Sequence, residues 1–353
     1  MSTEFLYIAK QYFKNFLMVA LGLTFAATLI DFIEHFGQVE GANRKFLYFY
    51  YIYCDYLVFI YPIALVFGAI ITFFNLLWRN HLVAFLSFGY TKSRLLKPFL
   101  AVFTVVYISI IALSFTKFAY YGDSARALIE NRQLFKSLDN IFFKYNNDFV
   151  FAKKMDVVKK EFSDVTLYRS KNNRLVELSH FKKAKFKNKK WVANDIEKKI
   201  LKYSNGKPQG YKVVHIDRET ILKGYYPKVV RLLYEGKRMS IKDAIRALTL
   251  LKEQGIDNSK VKSALYTKVV MPLFAPILII IIFAMLPLHR RFVSRAKYLV
   301  STMGATLIIW TLLYSVNMLS INGTIPADLG QPLVIFVLFI VSILIWRKKA
   351  ESF

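Results

Sequence analysis

The sequence predicts an integral membrane protein of mixed α and β structure, with six membrane-spanning helices (3+3) and an inserted periplasmic antiparallel β-jellyroll-like domain. Hydrophobic residues make up 55% of the 353 residues, including 32 Phe and 22 Tyr, which is too much for a soluble core. These residues are gathered into uncharged runs long enough to cross about 30 Å of hydrocarbon. Between the third and fourth runs lies a long segment of short alternating stretches, a pattern typical of β-strands.

Six spans follow in order along the chain. They cover residues 12–33, 56–78, 98–117, 269–288, 297–319 and 331–346. The first run is too long for a cleavable signal peptide and lacks a small-residue cleavage site, so it is interpreted as a retained span. The predicted domains are 1–121 for spans one to three, 122–238 for the β domain, 239–262 for an amphipathic connecting helix and 263–353 for spans four to six.

Lysine and arginine in the short loops predict the orientation. Basic residues are frequent at the N-terminus, after spans two and four, and at the C-terminus. The loop after span one has only Arg44 and Lys45, and the loop after span five has no basic residue. Both termini are therefore expected in the cytoplasm. Three spans precede the central segment, so it is expected on the opposite side of the membrane.

The central segment begins with short alternating runs such as "DVTLYRSKNNRLVELSHFKKAKFKNKKWVAND", separated by Asn, Asp, Gly and Lys turns. Several such strands suggest a small antiparallel sandwich or jelly-roll-like domain. The stretch "MSIKDAIRALTLLKEQG" then predicts a capped amphipathic helix, with Ser240 and Asp243 at its start and Gly255 as its stop. Its apolar residues are Ile241, Ile245, Leu248 and Leu251.

Several function classes lack the residues that they need. The net charge of +27 accompanies no nucleic-acid recognition motif, and we expect membrane and anion contacts and no nucleic acid. The single cysteine, Cys54, rules out an intrachain disulfide. There is no phosphate-binding loop, no metal-ligand spacing and no nucleophile motif. We expect no enzyme, no cofactor and no metal, and any ATP hydrolysis must belong to a separate chain.

Two groups of charged residues lie near the predicted outer boundary of the membrane. Asp31 and Glu34 are one turn apart at the end of span one, where they mark the water interface or line a cavity between subunits. Singly, basic residues here would be solvated or snorkelling anchors. As a group they could bind the phosphates of a lipid headgroup. The candidates for that role are Arg44, Lys45, Arg126 and Arg132.

The segment "WRNHLVAFLSFGYTKSRLLKP" between spans two and three is too apolar for a simple loop. It predicts a short helix at about 80–88, with Asn80 as its cap and Gly89 as a left-handed stop. One interpretation is an interfacial helix held on the inner leaflet by its apolar face and its cations. The other is a coupling helix that inserts into a groove on a separate motor subunit.

This segment resembles the corresponding segment of the LptF/LptG permeases, whose pattern has the form small-E-L-x-A-x-x-x-x-G-x-x-x-x-R-L-x-x-P. The stretches "IDFIEHF", "YPIALVFGAI" and "KVVMPLFAPILIIIIF" are further similarities, and the predicted layout covers nearly the whole chain. "IDFIEHF" and the chain length favour an LptG-like over an LptF-like member. The matching positions in the segment are Leu82, Ala84, Gly89, Arg94, Leu95 and Pro98.

The resemblance implies a permease subunit that exports lipopolysaccharide from the inner membrane of Gram-negative bacteria. The implied partners are an LptF-type permease mate in a heterodimer, an LptB-type ATPase dimer, and the periplasmic jelly-roll proteins LptC and LptA. The alternative is a membrane-anchored periplasmic binding or scaffold protein without a transport role, for which six spans are more than an anchor needs. The implied coupling residues are His81, Leu82, Phe85, Leu86, Gly89 and Arg94.

This chain departs from the family pattern at two places. His81 stands where the family usually has a glutamate, so a charge contact expected at the ATPase is missing or replaced. Some members also carry a basic residue near the position of Asp31, which this chain lacks.

Overall fold

A computed structural model describes residues 3–129, 138–145, 148–156, 159–171, 174–187, 190–204, 207–222, 225, 239–253, 258–287 and 294–350. The chain forms two compact units. One contains residues 1–129 and 262–353, and the other contains residues 130–261. The predicted membrane protein with an additional β domain is confirmed, since the described residues include six apolar helices of spanning length and a six-stranded antiparallel sheet.

The helical unit contains the six candidate spans. Helices α1 (Thr3–His35) and α2 (Ala42–Trp78) begin well before the predicted spans, because the Lys- and Tyr-containing turns that flank the apolar runs are also helical. The fourth span is interrupted by a 3₁₀ turn at Met271–Leu273, where Pro272 lacks the N–H that a continuous helix needs. The helices are α1 Thr3–His35, α2 Ala42–Trp78, α3 His81–Ser87, α4 Lys92–Ser114, α5 Tyr121–Ile129, α7 Ser259–Val269, α8 Phe274–Ala284, α9 Arg295–Ile321 and α10 Gln331–Ala350.

Helix α2 forms the centre of this unit, since 61% of its most apolar window is buried, against 11% for α9. It packs most closely against α1, where a Cβ on Gly68 would lie 2.8 Å from the Cα of Phe16. Two side chains of α1 also bond to α2. The Tyr12 hydroxyl donates to the Leu65 carbonyl at 3.1 Å, and the Asn15 amide donates to the Thr72 hydroxyl at 2.8 Å. Close approach and polar contacts are what hold helices together in lipid.

The β unit contains one sheet in which every strand pairs with its sequence neighbours. The antiparallel β structure is as predicted, but the connectivity of the described strands is a meander without the crossover of a two-sheet sandwich. Strands β1 and β6 are the edges of the sheet. The strands are β1 Leu138–Tyr145, β2 Asp148–Asp156, β3 Glu161–Lys171, β4 Arg174–Lys187, β5 Lys190–Ser204 and β6 Lys207–Ile221.

The core of the β unit is aromatic. Trp191 is fully buried, with its ring centroid 4.2 Å from that of Phe162. Its indole N–H donates to the Tyr225 carbonyl at 2.6 Å, which satisfies the one polar atom of the side chain. The Tyr225 hydroxyl donates to the Lys144 carbonyl at 3.0 Å, so the chain after β6 is fixed to β1.

Helix α6, Ile241–Glu253, is the predicted amphipathic helix. The Ser240 hydroxyl accepts a hydrogen bond from the Asp243 N–H at 3.1 Å and donates to its carboxylate at 2.8 Å, so the expected cap forms. Of the apolar residues named from the sequence, Ile245 is 49% exposed. Gly255 lies outside the described residues. The buried positions are Ile241, Ala244, Ala247 and Leu251.

Candidate functional site

The segment that joins α2 to α4 turns twice through left-handed backbone. Asn80 has a φ of 57° and makes no side-chain cap, so the predicted capping role is wrong. Asparagine tolerates this conformation better than most residues, which lets the chain reverse between α2 and α3. Gly89 has a φ of 82°, as predicted. The Tyr90 N–H bonds to the Phe85 carbonyl and the Gly89 N–H to the Leu86 carbonyl, which is a Schellman ending.

Helix α3 has an inner and an outer face. Leu82 is only 3% exposed, and Phe85 and Leu86 pack against the core of the helical unit. Leu82 therefore lies on the inner face of α3, and its implied place in the coupling contact stays a prediction. The outer face consists of Ala84 and Ser87, and Phe88, the residue that directly follows the helix, extends it and is 79% exposed.

Phe88 was not singled out by the sequence pattern. An apolar residue directly before the helix-ending glycine was the available signal, but the spacing of apolar residues alone does not say which of them the bundle covers. An exposed phenylalanine on a short, well-terminated helix is the kind of aromatic anchor that protein interfaces use. Helix α3 therefore presents a small apolar surface, Ala84 and Phe88, on a rigid support.

The first turn of α1 contacts both ends of this segment. Glu4, only 7% exposed, accepts a hydrogen bond from Arg94 at 2.7 Å. The Tyr7 hydroxyl lies 3.1 Å from Nδ1 of His81. His81 and Arg94 thus both contact α1, and the Arg94 side chain is still 54% exposed. The sequence signal for Glu4 was its position as the only acid before Asp31, in a helix that is otherwise apolar or basic.

The predicted basic group lies near the other end of α2. Arg44 donates to the Leu128 carbonyl of α5 at 3.3 Å, and the ammonium of Lys45 lies 3.5 Å from the ring centre of Phe36. Arg126 is exposed on α5. Arg132 lies outside the described residues. The contact between Arg44 and α5 brings this part of the basic group to one end of the helical unit.

Asp31 and Glu34 have different surroundings. The Asp31 carboxylate accepts hydrogen bonds from the hydroxyls of Tyr48 and Tyr56, the latter at 2.7 Å, and is 16% exposed. Asp31 therefore bonds to α2 of its own chain. Glu34 is exposed. Of the two, only Glu34 presents its carboxylate to the surroundings of the helical unit.

A cavity of about 350 Å³ lies in the β unit, with Leu167, Phe181, Arg169 and Glu219 among its lining residues. It therefore combines apolar and charged walls. In the network beside it, Arg169 bonds to Glu177 at 2.9 Å. Burial alone would raise the pKa of the Glu177 carboxyl. The Ser179 hydroxyl and the cations of Arg169 and Lys198 outweigh burial and hold this pKa below its usual value.

Within the described ranges, no group of three or more His, Cys, Asp or Glu is placed to hold a metal ion. The family model for the lipopolysaccharide export system permease LptF/LptG matches residues 6–348. No curated protein matches the chain. The family match does not distinguish LptF from LptG.

Proposed function

The chain belongs to the LptF/LptG family of lipopolysaccharide export permeases, and from this premise we propose that it is one membrane half of an ABC transporter. Its partners in this proposal are a second permease subunit of the LptF type and an LptB-type ATPase dimer. The heterodimer would extract lipopolysaccharide from the inner membrane and pass it to the bridge proteins LptC and LptA. The stretch "IDFIEHF" favours the LptG-type half.

The exposure of Phe88 carries the coupling part of this proposal. The outer face of α3 inserts into a groove of the ATPase, with Phe88 as its central contact and Ala84 beside it. Closure of the ATPase dimer on ATP pushes α3, the bundle narrows, and the lipid between the two permeases is expelled. Phe85 and Leu86 support α3 from within the bundle, and Gly89 provides its rigid end.

The orientation follows from the basic residues in the short loops. Both termini and α3 lie in the cytoplasm, and the β unit lies in the periplasm. At the periplasmic end of the spans, Arg126 and Arg44 contact the lipid phosphates, with Lys45 nearby and Arg132 as a further candidate. Arginine suits this role because its planar fork binds two phosphate oxygens at once.

The second permease is proposed to cover the poorly buried spans. Only 22% of the most apolar window of α1 and 11% of that of α9 are buried within this chain. Their outer faces carry large apolar side chains such as Phe13, Phe25 and Ile308. Lipid covers part of this surface. The mate covers the part that encloses the substrate, with Glu34 at the rim of the shared cavity.

The β unit passes the lipid onward by pairing with the bridge through an edge strand. Among the described strands, β1 and β6 are each paired on one side only, and β6 is the longer of the two. Tyr211 and Val213 on β6 are 63% and 41% exposed, so β6 is the edge we propose for the bridge.

The test is co-purification of the chain and its mate with the ATPase. Phe88→Asp should weaken ATPase binding about thirtyfold, the loss expected for a 2 kcal/mol interface anchor. The matched control is Phe46→Asp, since Phe46 is 75% exposed but lies near the start of α2, about 50 Å along the helix from α3. Unchanged ATPase binding by Phe88→Asp would rule out α3 as the docking helix. An unmodified chain that binds no ATPase would instead favour an anchored scaffold.

A further inference from the structure

We infer that Glu4 and Tyr7 are positioning residues that tie the first span to the ATPase-docking helix, so that movement of α3 is transmitted to α1. This inference rests on the proposed coupling role of α3. It assigns His81 and Arg94 to contacts inside the chain, rather than to the surface that meets the ATPase. We refer to the two contacts, Glu4 with Arg94 and Tyr7 with His81, as the α1 latch.

The first contact is an ion pair with a buried acid. Glu4 is 7% exposed, and its carboxylate lies 2.7 Å from the guanidinium of Arg94, which is 54% exposed. The guanidinium also lies 4.7 Å from the ring centre of Tyr90, so a second contact orients it. A buried carboxylate that loses its cation is strongly destabilised. Separation of Arg94 from Glu4 is therefore unfavourable, and the two residues are expected to move together.

The second contact is at the start of α3. The Tyr7 hydroxyl lies 3.1 Å from Nδ1 of His81, and the two rings meet edge to face with centroids 5.7 Å apart. The ring of Tyr7 also lies 6.5 Å from that of Phe85. Glu4 and Tyr7 are three residues apart and so share one face of α1. A single turn of α1 therefore contacts both the start of α3 and the first turn of α4.

These contacts explain why a histidine can stand where the family usually has a glutamate. The histidine ring shares one hydrogen bond with the Tyr7 hydroxyl and meets the tyrosine ring edge to face. The outward contact with the ATPase then depends on Phe88, and position 81 serves the connection to α1.

Helix α1 is able to carry the movement further. It is one continuous helix of 33 residues, which corresponds to about 50 Å. Its contacts with α2 at Tyr12 and Asn15 begin directly after the latch. A displacement of α3 by the ATPase would therefore tilt or shift α1 as a unit. Since α1 is largely unburied within the chain, it can move against lipid or against the second permease.

The test uses the complete complex in proteoliposomes. We measure ATPase binding, ATP hydrolysis and lipopolysaccharide release to the bridge proteins. Glu4→Gln and Tyr7→Phe should each reduce lipopolysaccharide released per ATP about fivefold, the lower end of typical coupling between sites, with ATPase binding unchanged. The control is Lys14→Gln, which removes an exposed charge from the next part of α1 and should leave release per ATP unchanged.

A charge exchange separates coupling from simple stability. The pair Glu4→Arg with Arg94→Glu restores the ion pair and should recover most of the release per ATP that either single change removes. Full release per ATP in Glu4→Gln would overturn the latch, as would a loss of ATPase binding that parallels the loss of release. Failure of the proposed function is distinct, because the unmodified complex would then lack ATPase binding altogether.

Discussion

In the helical unit α1 and α2 approach each other closely where Gly68 meets Phe16, whereas in the β unit the core is packed around Trp191. The helices meet through a missing side chain and a few hydrogen bonds, such as that of Asn15 with Thr72. The core of the sheet is instead packed around tryptophan, one of the largest side chains. The two units thus satisfy opposite packing requirements within one chain.

The solvent explains this difference. In lipid, burial of an apolar side chain between helices gains little, because the acyl chains are equally apolar, so close backbone approach and polar contacts decide the packing. In water, burial of apolar area is the main favourable term. Substitutions at Trp191 and Gly68 should therefore act through different terms, the first through lost burial and the second through lost proximity.

The largest effect is expected for Trp191→Ala. The change removes a fully buried indole and its hydrogen bond to the Tyr225 carbonyl. The free energy of unfolding of the β unit should fall by about 3–5 kcal/mol. Amide hydrogen exchange on the full chain in nanodiscs measures this, unit by unit. Tyr211→Ala, at a 63% exposed position of β6, is the control and should change protection by less than about 0.5 kcal/mol. Equal loss in both variants would contradict an aromatic core.

The six spans and the β unit could be predicted because each depends on a pattern within a short stretch of sequence. Long uncharged runs indicate the spans, and short alternating runs indicate the strands. The family resemblance was also confirmed, since the family model matches residues 6–348. It could be recognised from the sequence because its motifs are contiguous stretches. The sequence could not give which face of α3 is covered. Leu82 in α3 and Phe88 directly after it are both apolar, and only the packing of α3 on the bundle buries the first and leaves the second exposed.

The contacts of the α1 latch could also not be predicted from the sequence. Glu4 and Arg94 are 90 residues apart, and their pairing depends on how α1 packs beside α4. The same limit applied to Asp31, whose carboxylate bonds to Tyr48 and Tyr56 instead of facing outward. Charged residues near a span end are easily recognised, but their partners are set by helix packing. The predicted side-chain cap at Asn80 does not form, because the reversal between α2 and α3 requires left-handed backbone at this residue.

An intermediate effect is expected for Gly68→Ala. The new Cβ would lie 2.8 Å from the backbone of Phe16, so α1 and α2 must separate. Overpacking of this kind costs about 1–3 kcal/mol. Unfolding of the purified chain in mixed detergent and SDS measures the change. The matched control is Gly22→Ala in α1, where nothing lies within 4 Å of the added Cβ, and stability should stay the same or rise slightly. If both variants behave alike, close approach does not hold the two helices together.

The smallest effect is expected on the acid stability of the β unit, and none is expected on that of the helical unit. Because the folded pKa of Glu177 is held below its usual 4.5, its ionised form stabilises the β unit above that pH. This contribution is lost as pH falls through the lowered folded value. Hydrogen exchange of the β unit should therefore show less loss of protection on acidification in Glu177→Gln than in the unmodified chain.

Ser179→Ala sharpens the comparison, because the Ser179 hydroxyl donates to the Glu177 carboxylate at 2.9 Å. Without this hydrogen bond the pKa of Glu177 should rise, and the loss of protection should begin at higher pH. The helical unit contains no part of this network, so protection of α1 and α2 should follow the same pH profile in all three proteins. An acid profile of the β unit that is identical in all three would show that its pH dependence arises elsewhere.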